Sequence, residues 1–499
     1  MTLIQILLFH LILDLALSFH SIDDYGAIPN VNSNDAAHAN TMAMVKALSA
    51  ANQDPNDREV LLPKGNTYYV FNMTATNLVN VIFRIEGTYA VSDNISEWEN
   101  IMGHPPASPE VHYGSLNIWN STNITITGGG SIVGQGYAWW NYVWFNDSHA
   151  DHRPYIVYMV HCKDIEIYNV YLKNSPYYHL NLEDMLNVHI HDIDIHVDID
   201  KQKELLKKFG GWNEELDLPI FPLNTDGIDP SGKNYLIENV KMDLFDDAVA
   251  VKPSNSAPGR YSNCSQDMVV RNVTTLFTVG MAIGSLTNDP LTNCIRNITF
   301  ENITMYLPLK GIHVKTNPKT SDGIGIIDSI TYRNMQLIGS VWMPIYIGPQ
   351  QEQQPGTSGT GCSWFYPIND QCPTNPNVQI SNILLEDITL EGSLLWPGTI
   401  NCDPESKCKN MTFKNVYNSG PFLLMPIYEC HYAEGIKSGS NLLPLECLDI
   451  DSGNQNIKPL RMENPYLKLR EVFPSSKLDE IGSPNWQKLR ELKKKYVKN

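Results

Sequence analysis

From about residue 120 to 420 the chain repeats a short run in which β-branched or aliphatic residues alternate with polar ones. Each run closes on Asn or Asp followed by another aliphatic residue. Ile165-Glu166-Ile167-Tyr168-Asn169-Val170, Tyr235-Leu236-Ile237-Glu238-Asn239-Val240, Ile298-Thr299-Phe300-Glu301-Asn302-Ile303 and Met411-Thr412-Phe413-Lys414-Asn415-Val416 are examples. Period-two alternation describes strands with one buried face. Asn272 follows Asn239 by 33 residues, Asn302 follows after 30 more, and Asn334 after another 32. Strands recurring at such intervals without helices between them predict a solenoid. Its coils stack as parallel strands around a continuous aliphatic core, and rows of Asn satisfy backbone groups at the bends. A β-sandwich would instead show turn signals every ~8–12 residues without an Asn-aliphatic register. The predicted fold class is all-β, a parallel β-helix.

Several segments break the pattern. Residues 36–52 are Ala-rich with helical spacing and are expected to cap the N-terminal end of the solenoid. Residues 201–217 form a charged insertion, and 349–379 a Gly-, Pro- and Gln-rich loop. Leu3 to Leu17 are almost all apolar and Ala16-Leu17-Ser18 has the small-x-small pattern of a signal-peptidase site. The run is shorter than the ~20 residues of a membrane span and carries Asp14. The expected organisation is a signal peptide over 1–18, a β-helix over 19–450 and a C-terminal extension over 451–499. Asn-x-Ser/Thr occurs at Asn72, Asn94, Asn120, Asn123, Asn146, Asn263, Asn272, Asn297, Asn302 and Asn410. With a signal peptide these predict a secreted, extracellular, N-glycosylated protein. Nine cysteines in an oxidising compartment leave one unpaired. Cys162, far upstream in a strand-like stretch, is the candidate free thiol. Cys362–Cys372, Cys402–Cys408 and Cys430–Cys447 are plausible local pairs.

The formal net charge is −18, or −17 without Asp14. That argues against a nucleic-acid partner, but it does not exclude an acidic polysaccharide met by local cations.

The candidate chemistry lies in two adjacent units. Asn224-Thr225-Asp226-Gly227-Ile228-Asp229 is followed by Phe245-Asp246-Asp247-Ala248-Val249-Ala250-Val251-Lys252, with Asp226 and Asp246 20 residues apart. One turn of a β-helix displaces equivalent positions by roughly 4.8 Å, so Asp226, Asp246 and Asp247 are expected to crowd one patch. Crowded carboxylates raise at least one pKa. Glycoside hydrolysis needs one protonated carboxyl and one ionised carboxylate. Solvated Asp-rich turns and calcium ligands share the same composition. His189, His191 and His196 lie on an alternating stretch with no third metal ligand evident, and read as surface strand residues.

With these motifs the chain resembles the polygalacturonase family, glycoside hydrolase family 28. Asp24-Tyr25-Gly26-Ala27, Gly128 to Gly136 with Trp139-Trp140, Ser175-Pro176-Tyr177-Tyr178-His179, Asn224-Thr225-Asp226 and Asp246-Asp247 carry the resemblance. It extends from about Phe19 to about residue 430. Two family motifs differ here. The Gly-His-Gly motif falls on Thr278-Val279-Gly280, and Arg-Ile-Lys falls on His313-Val314-Lys315. The resemblance implies a right-handed pectin-lyase-like β-helix, no cofactor and no metal. It also implies an inverting hydrolase of α-1,4-galacturonosyl bonds in pectin, monomeric and without membrane attachment. Asp246 would be the general acid, with Asp226 and Asp247 acting on the water. Lys315 would bind a uronate with Lys252 close by, Asn224 would complete the site, and His313 would serve as a cation only when protonated. Val279 leaves open a weakened or non-catalytic pectin binder, or a hydrolase of rhamnogalacturonan or substituted pectin. A lyase on the same fold would need calcium and a base for C5. The insertion at 201–217 and the loop at 349–379 would close the cleft ends and favour exo-action.

Overall fold

The computed structural model describes residues 19–102, 113–140, 153–198, 224–254, 260–288, 293–351, 372–393, 396–422, 428–439, 445 and 447–450. The expected signal peptide, charged insertion and C-terminal extension lie outside these residues, as do Cys362 and most of the loop at 349–379.

Every strand pairing among the described residues is parallel, and each joins one coil to the next. The strands Leu180–His196 (β1), Ile228–Asp243 (β2), Cys264–Leu276 (β3), Asn293–Tyr306 (β4), Gly325–Ser340 (β5) and Val378–Ser393 (β6) stack in register. Their inward residues form continuous rows. One runs Ile190, Ile237, Val270, Phe300, Tyr332 and Leu385, all fully buried. Phe300 and Tyr332 stack with ring centroids 4.9 Å apart. Such rows make the alternation in the sequence a requirement: shifting a strand by one residue would bring its polar set into the core.

The bends explain the asparagines. Asn239, Asn272, Asn302 and Asn334 all have φ between 50° and 56°, a left-handed conformation that Asn and Asp tolerate better than other non-Gly residues. Their side chains bridge coils: Asn272 Nδ2 donates to Asn239 Oδ1 at 3.3 Å, and Asn334 Nδ2 to Asn302 Oδ1 at 2.7 Å. A second ladder, at the preceding bend, includes Asn80, Asn123, Asp164, Asn187, Asn234, Asp267 and Asn297.

The helix Asn34–Gln53 (α1) covers the N-terminal end, capped by Ser33 and burying Ala37, Met44, Ala47 and Ala51. The repeat begins earlier than its sequence signature: Glu59–Leu62, Val79–Ile85 and Thr122–Thr127 already stack as coils. The pairs Cys402–Cys408 and Cys430–Cys447 form, and Cys162 is buried and free. A further disulfide, Cys264–Cys294, joins residues in direct register on neighbouring coils, with Cα atoms 4.7 Å apart. Its 30-residue spacing is one full coil, which gives no local signal in sequence.

Candidate active site

A second set of short strands forms the wall that carries the site: Val249–Val251, Met281–Leu286, Ile312–Thr316 and Ile345–Gln350. They stack with the start of β2 through the row Ile228, Val249, Met281, Ile312 and Ile345. Two residues before each of the first four members of that row stand Asp226, Asp247, Val279 and Lys310. Backbone bonds between these coils hold the row together: Gly227 N donates to Asp247 O, Val279 N to Asp246 O and Lys310 N to Val279 O. One residue after the row stand Asp229, Ala250, Ala282, His313 and Tyr346. Two alanines between Asp229 and His313 make a shallow floor over which longer side chains can reach.

The three expected carboxylates do meet. One oxygen from each of Asp226, Asp246 and Asp247 lies within 4.8 Å of the others. Their environments differ sharply. Asp247 is fully buried; burial alone would raise its carboxyl, but Lys315 and His313 overcome that and hold it far below the usual range. Lys315 Nζ donates to Asp247 Oδ2 at 2.5 Å, and His313 Nδ1 lies 3.3 Å from Oδ1. Asp226 is 2% exposed and raised well above its ordinary value by burial and by the charges of Asp229 and Asp246. Asp246 is raised by burial and by Asp247. Its side chain is fixed by the backbone N–H groups of Asn224, at 2.7 Å, and Asp247, at 2.9 Å. Asp246 is also the only one of the three with appreciable exposure. A depressed carboxylate beside raised carboxyls is the division of labour that acid–base catalysis requires.

Asn224 is positioned from the preceding coils. Arg153, 3% exposed, donates to Asn224 Oδ1 at 2.8 Å and to Pro176 O at 3.3 Å, with its guanidinium 4.5 Å from the centre of the Tyr177 ring. His179 is fully buried. Its Nε2 accepts from Ser175 N and its Nδ1 donates to Asp226 O at 3.0 Å. Burial lowers His179 to about 4, so a neutral ring anchors the backbone of Asp226. Lys252 Nζ lies 3.3 Å from Asp229 and 3.7 Å from Asp226, and 5.2 Å from the centre of the Tyr178 ring. Asp229 is itself raised to about 7, chiefly by burial against the pull of Lys252.

His313 departs from the expected role of a protonated cation. It is 1% exposed, and burial together with Lys310 lowers it to about 3. Lys315 also differs from expectation: its ammonium is committed to Asp247 and the residue is 5% exposed. Lys310, Asp229, Arg153 and His179 are site residues to which sequence reasoning gave no role. Lys310 becomes visible only by counting back from the aliphatic residues that stack, and those are known only once the register is known.

His189 and His191 lie on a different wall. Glu166 comes close enough to make a third potential ligand, yet these groups are already engaged. His189 Nε2 is 3.0 Å from Glu238, which pairs with Arg271 at 2.7 Å, and His191 Nδ1 is 2.7 Å from Asp192. His196 Nδ1 pairs with Asp243 at 3.1 Å. They form part of a charged ladder across the coils.

Residues 55–438 match the description Glycosyl hydrolases family 28. The chain belongs to glycosyl hydrolase family 28. It is 26% identical over 396 residues to a "Probable exopolygalacturonase C" of Aspergillus niger, covering 77% of each chain. It is 26% identical over 367 residues to "Exopolygalacturonase rpg15" of Rhizopus delemar, covering 72% of this chain and 78% of that one. Among solved structures, the endo-xylogalacturonan hydrolase of Aspergillus tubingensis superposes with a TM-score of 0.61 at 16% identity, over 85% of this chain and 99% of that one. That likeness establishes the right-handed parallel β-helix. As a family 28 member the protein is a glycoside hydrolase, and no helix among the described residues is long and apolar enough to cross a membrane.

Proposed function

We propose that this family 28 hydrolase is a secreted enzyme that cleaves α-1,4-galacturonosyl bonds of pectic galacturonan from a chain end, with Asp246 as general acid and Asp226 and Asp247 acting on water. The observation that carries the reading is the convergence of these carboxylates on a wall that also bears Lys252 and Lys315. On a chain of net charge −18, this gathers cations where an anionic sugar would bind. The exopolygalacturonase names of the two fungal relatives support the substrate and the exo mode. Lys252 is the cation best placed for a uronate carboxylate, because its side chain keeps 21% exposure while Lys315 is held by Asp247. Reducing-end release from polygalacturonic acid tests the substrate, with rhamnogalacturonan and xylogalacturonan as competitors. Exo-action predicts reducing ends without early loss of viscosity; a rapid viscosity drop with few ends would replace it by mid-chain cleavage.

The electrostatics give a pH profile. Asp246 must be protonated to donate, and activity falls as pH rises through its raised value. Asp247 stays ionised far into acid. The expected optimum is acidic, with the alkaline limb set by Asp246. A kcat/KM profile over pH 3–8 that peaks above neutrality would contradict the assignment.

Stereochemistry gives a sharper test. Oxygens within 4.8 Å are closer than the ~6.5–9.5 Å separation usual between the two carboxyls of inverting enzymes. We nevertheless assign inversion, because Asp247, ionised far into acid, lies beside the raised carboxyl of Asp226, and the two can hold a water between them without either bonding to C1. Proton NMR of the first-formed product should show the β-anomer. An α-anomer would mean a covalent intermediate on one of these aspartates.

A further inference from the structure

The row that begins with Asp226 and Asp247 continues through Val279, whose side chain cannot hydrogen-bond, to Lys310. One residue past the aliphatic row, on the same coil as Lys310, stands His313. The imidazole reaches back over Ala282 to the carboxylates. Lys310 Nζ lies 3.5 Å from His313 Nε2, and His313 Nδ1 lies 3.3 Å from Asp247 Oδ1. Lys310 is 4% exposed, His313 1%, Asp247 0% and Lys315 5%. Tyr346, on the next coil, closes the other side, with its ring 4.2 Å from Lys310 Nζ and edge-on to His313 at 5.5 Å between centroids.

We infer that Lys310 and His313 form a buried relay whose role is to position Asp247: Lys310 donates to Nε2, which forces the imidazole proton onto Nδ1, and Nδ1–H donates to the carboxylate that acts on water. Burial and Lys315 lower Lys310 to about 7, so at acidic pH it is an ammonium, which has only donors, and Nε2 facing it is then the acceptor. A ring in that tautomer offers its single proton to Asp247. With Lys315 on the other oxygen, both Asp247 oxygens receive a donor and the carboxylate is held in one orientation. His313 therefore supplies from one coil further on the support that Val279 cannot give, and it works as a neutral donor, not as a cation for substrate. The groups facing it are Lys310, Lys315, Asp247 and Tyr346. Burial first, and then the two lysines, oppose its protonation more strongly than Asp247 favours it, consistent with its lowered value of about 3.

The inference rests on Asp247 being a catalytic carboxylate, and its first test needs no activity. In protein labelled with 15N-histidine, the His313 ring, assigned by its loss in His313→Asn, should be Nδ1-protonated and should not titrate between pH 4.5 and 6, where Lys310 carries its proton. An Nε2-protonated ring, or a midpoint near 6.5, overturns the relay whatever the substrate proves to be. Kinetics then separate positioning from binding. His313→Leu should lower kcat by about 10–100-fold, the worth of one hydrogen bond to a charged group, with KM changed less than about twofold. His313→Asn, which keeps a donor where Nδ1 stands, should recover most of that loss. Lys310→Met should release the tautomer in the NMR spectrum. A rise in KM at unchanged kcat in the Leu and Met variants would make these residues substrate ligands and overturn the proposal. Unaltered kinetics on an active enzyme would do the same.

Discussion

Asp246→Asn is expected to lower kcat on polygalacturonic acid by about 10²–10⁴-fold, the range attributable to loss of a general acid, while leaving a folded protein that still binds the polymer. Asp246 carries the raised carboxyl that is open to the cleft, and both of its oxygens are held by backbone donors, from Asn224 and Asp247. Asn keeps the shape but offers a single acceptor oxygen, so one of those bonds is lost and a stability cost of about 1 kcal/mol is expected. Asp246→Ala serves as a second variant free of the misplaced amide. Reducing-end assays read the rate, and circular dichroism with thermal melting reads the fold. A variant with wild-type turnover would move the acid to Asp226, whose carboxyl is also raised.

The largest effect on stability is expected for Lys315→Met. The Lys315–Asp247 pair is almost wholly buried, and removing one partner of a buried pair leaves an uncompensated charge, at a cost of about 3–5 kcal/mol. The sign of the pH dependence follows from linkage. In the wild type the Asp247 carboxyl is depressed, so its contribution is present above the unfolded value of ~3.9 and is lost only as pH falls through a folded value below the working range. Without Lys315, the strongest opponent of burial is gone, and burial pushes Asp247 upward against only His313 and Lys252. The variant then loses stability as pH rises above ~4. Urea titrations at pH 4.5 and 6.5 should show the larger deficit at 6.5. A deficit below about 1 kcal/mol at both would place the pair in the class of solvent-screened surface bridges.

The coil repeat, the capping helix and the three aspartates were legible in the sequence because each follows from a local rule. Alternation defines a strand face, Ala-rich spacing a helix, and a spacing of about one coil brings Asp226 beside Asp246 and Asp247. The remaining site depended on non-local register. Lys310 shares a row with Asp226 only because Ile228, Val249, Met281 and Ile312 stack. His313 looked like a substitute cation when only its position in a motif was known. Its burial beside Lys310 and Lys315 keeps it neutral. Arg153, and the role of His179, were hidden for the same reason: they act on Asn224 and on the backbone of Asp226 from earlier coils. The first coils, before residue 120, were missed although Met73-Thr74-Ala75-Thr76-Asn77-Leu78 carries the same strand–Asn–aliphatic run.

The two asparagine ladders and the unbroken rows of core residues also determine how this chain can change length. An insertion of a single residue within the strand Asn293–Tyr306, ahead of Asn302, would put one bend out of line with its neighbours and send polar side chains inward along part of that strand. Adding or removing about thirty residues, one whole coil, would return every bend and every core position to an equivalent place. Growth and shrinkage of the β-helix are thus quantised, with loops between strands free to vary continuously. The distance along the wall between Asp226 and Lys310 is itself a whole number of steps, so a coil gained or lost within it would dismantle the site at once, whereas one gained beyond it would lengthen only the surface on which a polymer lies.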